Sequence, residues 1–270
     1  MLRFLLFCFG VLGPLSLLLV GCTPPPNFSF TPTPQPGLDP TLCQDVVQQM
    51  TQLIREQEIP DHLLQPEGAP QAGNFDPNRY FDIFEHIHME PGYMLDYVYF
   101  KTLMGAEPIL YARKIDDAPF VSPNEFYDGT GSNGEKDLYL EHVYTDGSAQ
   151  GFLEYVILAI HAEQFYLYWH AHYNDLQVVC TTDAVNELID EVSDGSFGAE
   201  FSSSQRKQAQ HINYFPRVDY YDDAVDVRIV TFTKWGGLEE KIFRITKDPP
   251  HKILDVRSHI LLYYDCGINF

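Results

Sequence analysis

Along this chain the spacing of apolar positions switches several times between 3.6 and 2, and each switch marks an expected element. From Thr41 to about Glu58, Leu42, Val46, Met50, Leu53 and Ile54 share one stripe, which predicts a helix that Pro60 ends. Asp76-Pro77 reads as an N-cap followed by proline at the first helical position. Tyr80, Phe81, Phe84 and Ile87 continue at helical spacing until Pro91-Gly92. The period then drops to two. Residues 93–100 and 109–114 flank "MGAEP" and read as a hairpin, and 138–144 as a further strand. Residues 116–136 read as loop. The apolar run 148–164 is too long for a strand and follows Asp146-Gly147-Ser148, so it predicts a buried helix. "FYLYWHAHY", 165–173, reads as a strand that turns at Asn174-Asp175 and pairs with "LQVVC". A helix starting at Thr182 or Asp183 and a short one over 200–211 follow. Three long strands, 223–235, 238–246 and 252–264, close the chain as a meander. The expected class is α+β, a mostly antiparallel sheet with helices packed on one side.

The first residues break this pattern. Phe4 to Val20 is apolar apart from Gly10, Gly13, Pro14 and Ser16, behind a short n-region carrying Arg3. A Gly-Pro pair in so short a run suits a secretory segment better than a permanent span. The run ends Leu19-Val20-Gly21-Cys22. This resembles the lipobox of bacterial lipoproteins. The resemblance implies that the Cys22 thiol receives a diacylglyceryl group and that a peptidase cuts after the small residue Gly21. Two or three acyl chains would then anchor the protein, where one holds only marginally. Seven of the 18 residues in 23–40 are proline, which favours an extended stalk of roughly 55 Å at about 3.1 Å per residue. The expected organisation is a signal peptide over 1–21, a lipidated linker over 22–40 and one domain over 41–270.

Charge narrows the partners. Asp and Glu number 38 against 17 Lys and Arg, and loss of Arg3 leaves 16 cations, a net charge of −22. No basic footprint for nucleic acid exists, and phosphate backbones and anionic headgroups are repelled. Membrane association is therefore expected through acyl chains. Aromatic residues at 14% exclude a disordered acidic tail. Of five cysteines, Cys8 leaves with the signal and Cys22 carries lipid. Among Cys43, Cys180 and Cys266, the pair Cys180–Cys266 is favoured because each ends an expected strand. One disulfide with one free thiol, or no disulfide, are the open alternatives.

Candidate chemistry is sparse. His-x-His occurs at His86/His88 and at His170/His172. Residues two apart on a strand share a face, so two imidazoles can converge on a zinc ion. If "HIHME" is extended, His86, His88 and Glu90 line one side, although the helical spacing there spreads them. The plainer reading is that these histidines bond to neighbouring carboxylates and tyrosines. "GTGSNG", 129–134, matches G-x-G-x-x-G but lacks the preceding strand and following helix that a dinucleotide loop needs. No nucleophile elbow, phosphate loop or HExxH motif is present. Carboxylates with 17 tyrosines suit sugars or cationic ligands. The expectation is a cell-envelope lipoprotein on the outer side of the cytoplasmic membrane, binding an unidentified ligand or protein partner without a cofactor. The alternative is a metal-dependent extracytoplasmic enzyme using His170 and His172. Whether the chain is an enzyme is left open, with the balance toward binding.

Overall fold

The computed structural model describes residues 38–64, 74–130, 138–193 and 199–267. Gly21, Cys22, the signal segment, most of the proline-rich linker and the glycines at 131 and 134 lie outside the described residues.

A helix over Pro40–Arg55, α1, forms where the apolar stripe predicts it. Asp39 caps it by accepting from Thr41 N at 2.8 Å, and Cys43, Val46, Val47, Met50 and Leu53 point inward. One turn over Asp61–Leu64, α2, follows. The expected helix after Asp76 is different. Asp76 and Pro77 do start a helical segment, but it is a 3₁₀ turn that ends at Asp82. The chain then extends as Ile87–Met89, β1. Tyr80, Phe84 and Ile87 are all buried, so a turn followed by a strand presents the same three side chains inward that a helix would.

Tyr93–Lys101 and Gly105–Lys114, β2 and β3, make the expected hairpin, with Leu95 opposite Ala112 and Tyr97 opposite Leu110. The stretch read as loop contains a helix, Pro123–Thr130, α3, whose Phe126 packs against Tyr111. Residues 138–144 are mostly a 3₁₀ turn. Only Val143–Thr145, β4, extends, and it pairs with β1. Ala149–His161, α4, is buried nearly all round, which explains its continuous apolar sequence.

The strand expected over 165–173 is largely absent. Phe165 and Tyr166 enter the core, where Phe165 meets Phe75 at 4.6 Å and Tyr97 at 4.8 Å. The Tyr166 carbonyl accepts from the Tyr99 hydroxyl at 2.7 Å. Tyr166 and Trp169 take positive φ values of 55° and 50°, which breaks strand alternation. Only Tyr168–Trp169, β5, pairs, with Gly105 and Ala106. Gln177–Val179, β6, therefore does not turn back on 165–173 but joins the C-terminal sheet.

Thr182–Ser193 and Ser203–Ala209 are α5 and α6. A short strand, Arg217–Tyr220, β7, precedes the meander of Ala224–Thr233, Gly237–Thr246 and Ile253–Tyr263, β8, β9 and β10. The sheet runs β10-β9-β8-β6, with β7 also on β8. Gly237 has φ 87°, and a Cβ there would lie 2.2 Å from the Leu262 carbonyl oxygen, so glycine alone fits this turn.

The class is α+β with antiparallel sheets. Helices, however, pack on both faces of the five-stranded sheet, leaving residues 254–260 of β10 uncovered. On β8, Val225, Val227 and Ile229 join the core around α4 and α1, while Val230 and Phe232 join a second core with α5, Ala209 and Tyr264. Neighbouring strand residues point to opposite faces, so the two cores are the two sides of one sheet.

Candidate functional site

Of the histidines proposed for metal, His170 lies beside a different sheet from that of His86 and His88. His170 starts a 3₁₀ turn beside β5, its amide donates to the Met104 carbonyl at 3.1 Å, and its ring stacks on Trp169. The His172 side chain lies outside the described residues. His86 and His88 belong to a different sheet, the β1–β4 ribbon. Among the described residues, no group of three or more His, Cys, Asp or Glu is arranged to hold a metal ion. The plainer reading of His86 describes what it does.

On the ribbon Ile87–Met89 is extended, flanked by His86 in a bend and by Glu90, so that His86, His88 and Glu90 alternate with Ile87 and Met89. Their cross-strand partners form three pairs. His86 Nδ1 lies 2.8 Å from Asp146 Oδ2. The His88 ring meets Tyr144 edge-on at 6.1 Å. His142 Nδ1 lies 2.7 Å from Glu90 Oε2, and Tyr93 stacks on His142 at 4.1 Å. Asp146, chiefly by this hydrogen bond, raises the His86 pKa. Asp146 itself is lowered: burial opposes this, but bonds from Ser148 and His86 outweigh it. Beneath the pair, Glu154 of α4 is 1% exposed, and burial raises its pKa. It accepts from the His86 amide at 2.8 Å and from Gln150 Nε2 at 3.2 Å. Sequence reasoning set His86, His88 and Glu90 on one side only if the segment was extended, where it expected a helix, and it missed Asp146, which it read only as the start of a helix.

The cysteines pair differently from the expectation. Cys43 of α1 is bonded to Cys180, which follows β6, and Cys266 is free and buried. Cys180 faces the α1–α4 core and Cys266 the α5–α6 core, so the sheet separates them. The Cys180 amide also donates to Gln44 Oε1 at 3.0 Å, a second tie between α1 and β6.

Beside this staple lies a groove of about 400 Å³ between α1 and α5, with β6 at its base. Val47, Val178, Val179 and Leu188 supply an aliphatic floor. Gln44, Gln48, Gln52 and Gln177 contribute carboxamides, and Thr51 a hydroxyl. Glu56, Glu187 and Glu191 stand at the groove with Arg55 as the cation among its lining residues. Arg55 lies 3.6 Å from Glu191, with both side chains more than half exposed, so the pair is weak and displaceable. The local balance is acidic. The helical stripe of α1 hides this wall in the sequence, because only packing shows that its polar face borders a cleft rather than open water. Compared with family models, curated proteins and solved structures, the chain matches none.

Proposed function

We propose that this protein is a lipid-anchored binding protein of the cell envelope, tethered at Cys22, whose α1–α5 groove takes an aliphatic cation. The observation that carries the ligand class is the pairing of an aliphatic floor with three glutamates and four carboxamides in one concave site. Methylene groups lie on the valines, and ammonium groups donate to Glu187, Glu191 and the carboxamide oxygens. The net charge of the chain, −21 for the full sequence, raises the local concentration of any cation. The lipobox resemblance and the proline-rich linker support the tether.

Spermidine titrated into the purified full chain by calorimetry tests the groove, with glycerol as the uncharged probe. Saturable spermidine binding, weakened at least about fivefold by Glu187→Gln with Glu191→Gln, is expected, since charge-assisted bonds each contribute on the order of 1.5–3 kcal/mol. Equal binding by the variant, or none by the native chain, overturns the ligand class. Cys22→Ser should release the protein from membranes or leave the precursor uncleaved. Unaltered processing and membrane retention overturn the tether.

A further inference from the structure

The five-stranded sheet ends on β10, whose outer edge bears no strand among the described residues. Seven consecutive residues, 254–260, are exposed, including Val256 at 44% and Ile260 at 51%. Strand edges of this length are usually blunted by charges, proline or bulges; Ile253–Tyr263 has no lysine or proline, and its irregularities lie near its two ends, leaving Asp255 and Arg257 as the charges along it. The other side of the sheet differs, because β6 and β7, of three and four residues, share the remaining edge of β8.

We propose that β10 pairs antiparallel with β10 of a second copy of this chain, about a two-fold axis through Ser258. An axis perpendicular to the sheet keeps every side chain on its own face, so the register must centre on a residue. Centring on Arg257 overlaps only residues 253–261 and sets the two guanidinium groups, each already paired with carboxylates, side by side. Centring on Val256 overlaps only residues 253–259. Centring on Ser258 overlaps all 11 residues of the strand. It sets Val256 opposite Ile260, Leu254 opposite Leu262, and Ile253 opposite Tyr263, apolar against apolar at each place. Arg257 falls opposite His259, and Asp255 opposite Leu261 is the one mismatch. The two irregularities in β10, between Ile253 and Asp255 and between Ile260 and Leu262, flank the axis, so regular backbone over 256–260 meets itself. Arg257 enters this arrangement already neutralised, 2.7 Å from Asp226 and 3.6 Å from Asp255. Two chains each carrying −21 repel, so salt strengthens the pairing by screening.

Sedimentation of the full chain in detergent, together with oxidation of Ser258→Cys, tests the proposal. The native chain is expected to form dimers that tighten at least about threefold between ~0.05 M and ~0.5 M NaCl. In a chain carrying Cys8→Ser and Cys22→Ser, Ser258→Cys should cross-link to itself, whereas the same chain with Ser258 retained and Cys266 buried should not. Val256→Lys with Ile260→Lys should weaken association at least about tenfold, because two like-charged pairs replace apolar ones. A monomer at every salt concentration overturns the proposal, as does an unweakened dimer of the lysine variant. Cross-linking through Val256→Cys in place of Ser258→Cys overturns the register. If the lysine variant unfolds, which its thermal transition reveals, the cross-link decides alone. Spermidine binding is a separate readout, so loss of either result leaves the other standing.

Discussion

The α1–α5 groove and the β1–β4 ribbon both gather polar side chains, but they satisfy them differently. Ribbon groups answer one another: Asp146 holds His86, Glu90 holds His142, and Tyr144 lies against His88. Of the two regions, the ribbon with the stretch of α4 beneath it is the one with shifted pKa values, at His86, Asp146 and Glu154. The groove also has exposed pairs of its own, Gln52 with Glu56 and Arg55 with Glu191, but it sets its carboxamides and glutamates along a concave gap beside the Cys43–Cys180 staple. Perturbed titration and concavity thus point to different places. Mutual pairing shifts a pKa while consuming the hydrogen bonds that a ligand would use.

The largest effect that would break this comparison is loss of the staple. Cys43→Ser opens a loop of 137 residues and should cost about 2–5 kcal/mol. Thermal unfolding should show a transition lower by roughly 10 °C, and spermidine binding should weaken with it. A variant with native stability and native binding would separate groove from staple.

Next in size is a pH effect from α4, beneath the floor of the groove. His161 of α4 is 1% exposed, and burial lowers its pKa to about 4 from 6.5. Its Nε2 accepts from the Val178 amide at 3.4 Å, which requires the neutral ring. The unfolded chain takes up a proton near pH 6.5 and the folded chain only near 4. Stability is therefore intact above pH 6.5 and falls by about 3 kcal/mol toward pH 4. Burial lowers His251 as well, adding in the same direction. His161→Gln should flatten this segment of a denaturant-unfolding series against pH; an unchanged slope would sink the assignment.

Smallest is the ribbon pair. A double-mutant cycle of His86→Ala with Asp146→Asn should give a coupling of about 0.3–1 kcal/mol, because both side chains are partly exposed. Its pH dependence is opposite in sign to that of His161 and lies at higher pH. The raised His86 pKa makes the contribution complete below pH 6.5 and lost as pH rises through the folded value. Spermidine binding unchanged in these variants would sharpen the division between ribbon and groove; binding that falls with them would merge the two.

Much of the architecture was legible along the chain. The α1 stripe, the β2–β3 hairpin, the buried α4, and the meander of β8, β9 and β10 all follow from local periodicity and turn residues. Segments that misled are aromatic-rich and packed from several sides. In "FYLYWHAHY" every second residue looked inward, yet Tyr99 and Phe75 capture Tyr166 and Phe165 outside any strand. In 76–90, burial of Tyr80, Phe84 and Ile87 imitated a helical stripe. Of the site residues, the shared face of His86, His88 and Glu90 could be read only conditionally, since a neighbouring strand had to hold that segment extended.

By itself, the sequence determined the acidic charge, the α+β alternation and the resemblance of its first residues to a lipoprotein signal, because these are local properties of composition and spacing. Tertiary structure decided which cysteines meet, which polar face borders a cleft and which strand is left at the edge. Each of those depends on contacts between residues far apart in the chain, such as Cys43 with Cys180, and local periodicity carries no information about which distant faces come together.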